Sequence, residues 1–245
     1  MKVEILAIIP ARGGSKSIPR KNLLPIAGKP LLAHSIAHAL ASRHITRTLV
    51  STDDEQIANV ARRFGAEVPF MRPHEFARDD SPDVDVFAHA LRTLAAAGYT
   101  CDVVVHLRPT GPVRKVALID EAIDVFLRRP DADSLRSVVP AAQSPYKMWH
   151  VDGDTMRPVV TAGAESFNQP RQTLPQVFWQ NGYVDLVRPR VVLERHSMSG
   201  DRVLPFVMHE PVYELDYPEH IAAIEAALAG IDHAPAQPRE RRHAV

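Results

Sequence analysis

Cysteine is nearly absent from this 245-residue sequence, where Cys101 stands alone. One thiol can form no intrachain disulfide and no Cys-based zinc site, and such a composition suits a reducing compartment. Net charge is absent too. Twenty-nine Lys and Arg balance twenty-nine Asp and Glu. Nothing therefore favours long, nonspecific contact with nucleic acid, and any anion site has to be local. No apolar run is long enough to cross a bilayer. The opening run Met1–Ile9 stops at Pro10, too soon for a secretory or membrane segment, and reads as a buried first strand. The expectation is a soluble cytoplasmic protein with neither a membrane nor a nucleic-acid partner. What is present is 45% hydrophobic residues, enough for a real core. The length fits one large domain, or one domain with an insertion.

Strand and helix patterns alternate through residue 139. Val3–Ile9 is an apolar run of the kind buried on both faces of a sheet. Pro30 opens a helical pattern through Leu40, with Leu32, Ile36, Ala39 and Leu40 on one face. Thr46–Ser51, Glu67–Met71, Asp102–Leu107 and Ser134–Val139 read as strands. Thr52–Glu55 caps a helix through Ala61, and Pro82–Ala97 and Val116–Leu127 read as further helices. This order predicts an α/β fold with a doubly wound, mostly parallel sheet. Ligands bind such sheets beyond the carboxyl ends of the strands. The loops after Pro10 and at Arg108–Pro112 lie at such ends, so both are expected to face one crevice.

The alternation fails after Pro140. Residues 140–178 carry Pro145, Pro158, Pro170 and Pro175 and read as a β-rich excursion. Gly182–Val187 then reads as a strand and Glu219–Leu228 as a closing helix. Residues 1–231 form the expected single domain, with 140–178 inserted. Residues 232–245 lack apolar periodicity and read as a mobile tail.

The loop Pro10-Ala11-Arg12-Gly13-Gly14-Ser15-Lys16-Ser17-Ile18-Pro19-Arg20-Lys21-Asn22 carries the strongest chemical signal. Adjacent glycines let backbone N–H groups approach an anion closely. Arg12, Lys16, Arg20 and Lys21 surround them. Oriented amides and several cations suit a triphosphate. A solvated basic turn is the alternative. The loop is neither a Walker A loop nor a dinucleotide fingerprint. A second constellation is Glu214-Leu215-Asp216. Acids two apart on an extended segment point to one side and can share Mg²⁺. Capping of the last helix is the alternative role. His34 and His38 are spaced i,i+4, but no third ligand is near them, and they read as helix-face residues.

Several of these motifs, in order, resemble the acylneuraminate cytidylyltransferases (CMP-sialic acid synthetases). The resemblance rests on Ile9–Lys16, Ile18-Pro19, Lys21-Asn22-Leu23 and Gly28-Lys29-Pro30-Leu31. It continues at Val50–Asp54, Gly65–Pro73, Arg108–Pro112, Ser144–Trp149 and Asn181-Gly182. It implies a nucleotidyl transfer, in which a hydroxyl of a nonulosonic acid attacks the α-phosphate of CTP and pyrophosphate leaves. By that resemblance Ala11, Arg12, Gly13, Gly14, Ser15, Lys16 and Lys21 hold the triphosphate, and Asn22 and Arg72 contact the nucleoside. Arg12, Lys21 and Asp216 carry the catalysis. Glu214 and Asp216 hold Mg²⁺. Glu214 stands where the family has Asp, so it binds directly, through a water, or not at all.

The acceptor side departs from the family. Arg108 stands where sialate-activating members carry Gln, and Gly111 where they carry Ser. Arg108 adds a planar fork suited to a carboxylate or phosphonate, or else forms a salt bridge with a neighbouring acid. Asn181-Gly182 matches the sugar-contacting turn, whereas Tyr183-Val184-Asp185 does not fit the usual pattern. Arg108, Thr110, Asn181 and Tyr183, with Lys147 and Arg171 of the excursion, form the expected acceptor site. The resemblance further implies a homodimer in which the excursion helps to close that site. Trp149 and Trp179 read as interface anchors or as core residues. The acceptor is then an acidic nine-carbon sugar, or alternatively a phosphonate or another small anion. A non-catalytic nucleotide-binding protein is the rival from another class.

Overall fold

The computed structural model describes residues 3–161, 163 and 165–232. All but the first residue of the expected tail at 232–245 lies outside the described residues. Among the described residues, no helix is long and apolar enough to cross a membrane.

The first strand, β1 (Ile5–Pro10), is buried almost throughout. After the glycine loop a small ribbon of β2 (Pro25–Ile26) and β3 (Lys29–Pro30) leads into α1 (Leu31–Ala41). Next come β4 (Arg47–Ser51), α2 (Glu55–Arg63), α3 (Asp83–Ala96), β5 (Val103–His106) and α4 (Val116–Leu127). Asp54 starts α2 by accepting from the N–H groups of Gln56 and Ile57, as the acids after Ser51 predict. β6 (Ser134–Pro140) enters the excursion, which holds a ribbon of β7 (Trp149–Asp152) and β8 (Thr155–Pro158). β9 (Phe178–Val187) leaves it, and α5 (Pro189–Arg195), β10 (Val203–Val207) and α6 (His220–Asp232) complete the chain.

The main sheet has the order β10-β6-β9-β5-β1-β4. β1 pairs parallel with β4 and β5, and β10 parallel with β6. β9 alone runs antiparallel, between β5 and β6. The sheet is thus mostly parallel, as expected. The chain steps from β1 outward to β4 and returns to β5 on the other side, which makes the β1–β5 boundary a topological switch point.

Alternate residues of β1 feed two cores. Ile5, Ala7 and Ile9 pack with α1, α2 and α4 on one face. Leu6 and Ile8 pack with α3 and α5 on the other. Each fully buried Leu or Ile side chain contributes about 1.5–3 kcal/mol, so both faces resist moving the strand ends. A third cluster seats α6 through Ile224 and Leu228 against Ile18, Ile26, Leu31 and Leu215. That cluster pins the Glu214–Asp216 segment beside the glycine loop.

Three elements differ from expectation. Glu67–Met71 makes a single parallel bridge, Glu67 to Leu49. Pro69, two residues on, has no N–H with which to continue a ladder. Helix α5 and strand β10 were not expected. Pro205 within Val203–Val207 hides the strand pattern, and β10 lies at the sheet edge, where proline is tolerated.

Candidate active site

β1 ends at Pro10, and the N–H of buried Ala11 donates to the Ser51 carbonyl at 2.9 Å. The two glycines that follow do different work. Gly13 donates its N–H to Asp53 Oδ1 at 2.9 Å. A Cβ there would lie 2.9 Å from both Cβ and Oδ2 of Asp54, so Gly13 is fixed by packing and its N–H is already engaged. A Cβ on Gly14 would meet no described atom within 4 Å, which leaves that part of the loop open to an anion. Arg20 turns away from the loop, with Nη2 3.1 Å from Asp54 Oδ2 and 2.9 Å from Gln56 Oε1.

Arg12, Lys16 and Lys21 border a cleft of about 440 Å³ with Ser15, Asn22 and Thr110. Arg12 Nη2 and Lys16 Nζ meet the two oxygens of Asp79 at 2.8 and 2.5 Å. The Lys16 hydrogen bond, reinforced by Arg12, holds the Asp79 carboxyl below the usual range. Lys21 is mostly buried. Its Nζ donates to the Leu215 carbonyl at 2.8 Å and stands 3.6 Å from Asp216 Oδ1.

Asn22 and Arg72 are more committed to the protein than a nucleoside-reading role requires. Asn22 Nδ2 donates to the Arg12 carbonyl at 2.9 Å and so braces the loop. Arg72 is buried. It donates from Nε to Ser51 Oγ at 3.1 Å, from Nη2 to the Ser51 carbonyl, and from Nη1 to the Phe76 carbonyl at 3.3 Å. Burial pushes its pKa down to about 10, which leaves it charged at neutral pH. It lines an adjoining cleft of about 240 Å³ with Arg12, Asp83, His106, Arg108 and Thr110.

Arg108 makes the salt bridge that the sequence offers as one alternative. Its Nη1 lies 2.6 Å from Asp185 Oδ2, and Arg136 Nη1 reaches the same oxygen at 3.1 Å. The Thr110 carbonyl accepts from the Leu215 N–H at 2.7 Å, joining the loop after β5 to the acid segment. Asn181 is buried, with Oδ1 accepting from the Tyr183 N–H. It lines a larger cleft of about 690 Å³ that also holds Trp179, Glu214, Asp216 and His220. Gly182 has φ +62°, in the left-handed region.

Tyr183 does not fit the expected acceptor contact. It is buried. Its hydroxyl accepts from the Lys115 N–H at 2.5 Å, and its carbonyl accepts from Arg114 Nε at 2.6 Å. Strand β9 is buried on both faces from Asn181 to Val187, which puts Tyr183 in the core with Val184 and Leu186. Lys147 and Arg171 also stay outside the crevice within one chain. Lys147 Nζ donates to the Phe167 carbonyl and Arg171 Nη2 to the Ala142 carbonyl, both inside the excursion. Trp149 packs on Phe167 with ring centroids 4.5 Å apart, whereas Trp179 is 66% exposed.

Glu214 and Asp216 both line the larger cleft. Burial, and then the charge of Asp216, push the Glu214 carboxyl up. Among the described residues, no group of three or more His, Cys, Asp or Glu can hold a metal alone. Two neighbouring carboxylates that line the larger cleft, with Lys21 of the cation-lined cleft 3.6 Å from Asp216, are a donor set that suits Mg²⁺, which takes one or two carboxylates plus substrate phosphates. The residues present therefore fit the ion.

Four functional-looking residues escape sequence reasoning. Asp79 and His106 line the nucleotide-side clefts, while Arg114 and Arg136 reach the Arg108 carbonyl and Asp185 from behind, and no motif in the sequence marks any of the four. Buried Arg114 donates to the carbonyls of Arg108 and Gly111 and to Ser35 Oγ, clamping the loop after β5.

The family model described as cytidylyltransferase matches residues 6–191. The chain is 31% identical over 216 residues to the CMP-N,N'-diacetyllegionaminic acid synthase of Legionella pneumophila, covering 87% of this chain and 90% of that protein. It is 38% identical over 123 residues to the pseudaminic acid cytidylyltransferase of Campylobacter jejuni, about half of each chain. In fold it is similar to a CMP:2-keto-3-deoxy-manno-octonic acid synthetase solved with CTP. The TM-score is 0.69 at 17% identity, covering 93% of this chain and 99% of that one. A 4-diphosphocytidyl-2C-methyl-D-erythritol synthase gives a TM-score of 0.67 at 14% identity, with the same coverage. The chain belongs to the cytidylyltransferase family.

Proposed function

We propose that this protein transfers CMP from CTP to a hydroxyl of a nonulosonic acid and releases pyrophosphate. One observation carries the reading. Lys21 joins the cation-lined cleft to the acid pair by contacting both Leu215 and Asp216. A triphosphate in the first cleft would then place its reacting phosphate near the carboxylates that border the second. The end-to-end relative is named as a synthase of a CMP-linked nonulosonic acid, which supports the acceptor class.

In the proposed reaction the acceptor oxygen bonds to the α-phosphorus and loses its proton, while the bond to the β-phosphate bridging oxygen breaks. Arg12, Lys16 and Lys21 neutralise charge moving onto the departing pyrophosphate. Ala11, Gly13, Gly14 and Ser15 shape the loop around it, and Arg72 and Asn22 form the nucleoside end of the cleft. Arg108, Thr110 and Asn181 border the acceptor. Glu214 and Asp216 would hold Mg²⁺, which supplies Lewis-acid neutralisation of the phosphates. Direct transfer needs no covalent enzyme intermediate.

A homodimer is part of the proposal. Met148, Val151, Met156, Phe178 and Trp179 leave apolar surface exposed on and beside the excursion. A second copy would cover it and bring Lys147 or Arg171 toward the acceptor cleft. A cytoplasmic setting is also proposed, where CTP is available. The test is pyrophosphate release from CTP and Mg²⁺ with sialic, legionaminic and pseudaminic acids. Acid-dependent release supports the reading, and no release with any of them overturns it.

A further inference from the structure

The antiparallel strand β9 sets Asp185 in register between His106 of β5 and Arg136 of β6. Its side chain is 1% exposed, and a carboxylate so buried needs charged partners. Two guanidiniums supply them on Oδ2, Arg108 at 2.6 Å and Arg136 at 3.1 Å, with Gln180 Nε2 at 3.4 Å. Oδ1 is buried with no hydrogen-bond partner among the described residues. Two guanidiniums thus share one oxygen of one carboxylate.

Of the two guanidiniums, Arg108 has the freer edge. Arg136 is held at its far side, donating from Nη2 to the Met198 carbonyl and to Ser199 Oγ. Arg108 is a quarter exposed, and its Nη2 is 3.9 Å from Asp83, beyond hydrogen-bond reach. A Cβ on Gly182 would lie 3.0 Å from Arg108 Nη1 and 3.1 Å from Glu214 Oε1. The glycine thus lets the Arg108 fork and the Glu214 carboxylate converge where the nucleotide cleft borders the larger one. Without Asp185, Arg108 is left with Asp83 and Glu214 as neighbouring acids, and closing on Glu214 would block the border and occupy a carboxylate assigned to the metal.

We propose that Asp185 is a positioning residue for acceptor recognition: it draws Arg108 off Glu214 and fixes its free edge to bind the carboxylate of the acceptor. The inference rests on the CMP-transfer reading above. It makes Arg108 both ion-paired and functional, because Asp185 engages one side of the fork and leaves the other.

The test is steady-state kinetics of wild type, Asp185→Asn and Asp185→Glu with saturating CTP and varied N,N'-diacetyllegionaminic acid, repeated with its methyl ester. Asp185→Asn should raise KM for the acid about 10- to 100-fold, the worth of one charge-assisted hydrogen bond. KM for CTP should stay within about twofold, since the triphosphate cations are untouched. Asp185→Glu should recover part of the loss, and the preference of wild type for acid over ester should shrink in Asp185→Asn. An unchanged KM for the acid overturns the proposal. So does a fall in kcat at unchanged KM, which would put Arg108 on the transferring phosphate. If Asp185→Asn does not fold, Arg108→Lys, which keeps the charge and loses the fork, should show the same selective rise in KM, and no rise overturns the proposal. If wild type releases no pyrophosphate with the legionaminic, sialic or pseudaminic acid, the CMP-transfer reading fails and this inference with it. Release by wild type matched by Asp185→Asn defeats the inference alone.

Discussion

Asp79 and Asp185 each bridge two cations, one on the nucleotide side of the crevice and the other at its border with the larger cleft. Asp79 is 42% exposed and holds Arg12 and Lys16 in water. Asp185 is 1% exposed and holds Arg108 and Arg136 inside the sheet. Water and salt screen the first pair, so its net attraction is small and a triphosphate can take the carboxylate's place. In the second, Asp185 and Arg136 are desolvated, and neither can leave without stranding a charge. Similar chemistry therefore gives a replaceable ligand in one place and a fixed scaffold in the other. Burial makes the difference.

The largest effect tests that contrast directly. Asp185→Ala should lower the free energy of unfolding by about 3 kcal/mol, because it strands the buried Arg136 guanidinium and takes a partner from the quarter-exposed Arg108. Asp79→Ala should leave the urea midpoint unchanged. Equal midpoints in the two variants would break the distinction. On the nucleotide side, Lys21→Ala should reduce kcat about 10²–10³-fold, as loss of an electrostatic donor does, with little change in the urea midpoint. A loss confined to KM for CTP would place Lys21 in ground-state binding only.

Gly182→Ala should cost about 1–2 kcal/mol for its left-handed backbone, and should weaken acceptor use more than CTP binding by crowding Arg108 and Glu214. Equal losses of both would show that the border is not specific to the acceptor.

The buried side should also respond to acid. Burial, and then the charges of Arg108, Arg136 and Arg114, hold His106 well below the ordinary histidine pKa of 6.5. Burial, with Arg114 next, pushes His38 down to about 3. The unfolded chain then binds more protons than the folded one below 6.5, so stability is fully present above that pH and falls as pH drops toward the folded values. Each group contributes at most about 1.4 kcal/mol per pH unit. Urea unfolding at a series of pH values should show a shallower slope in His106→Asn. An unchanged slope would mean that His106 does not titrate in the window. The smallest effect belongs to Asp79→Asn, which should tighten CTP binding measured by calorimetry by a small factor. Weaker binding would make Asp79 a ligand partner instead of a placeholder.

The nucleotide side was the more legible in sequence because its chemistry is local. Arg12 through Asn22 fall in one loop after one buried strand, and alternation of strand and helix places that loop at the carboxyl end of the strand. The acceptor side is assembled from β5, β6, β9 and the segment after β10, so Arg108, Arg136, Asp185 and Glu214 meet only through strand order. Their pairing leaves no spacing in the chain. Tyr183 was misread for a related reason. A residue beside the Asn181-Gly182 turn looks like a site residue, but β9 is a central strand buried on both faces there, and Tyr183 packs in the core. Strand β10 was hidden by Pro205, which an edge strand tolerates. Gly13 was read as making room for an anion, and it makes room for Asp54.

The central claim is CMP transfer, and phosphorus-31 NMR of the complete reaction tests it most directly. With CTP, Mg²⁺ and N,N'-diacetyllegionaminic, sialic or pseudaminic acid, the CTP resonances should give way to one phosphodiester signal and pyrophosphate in equal amounts, only when the acid is present. CTP that binds the protein yet yields no phosphodiester with any of the three acids would contradict the account.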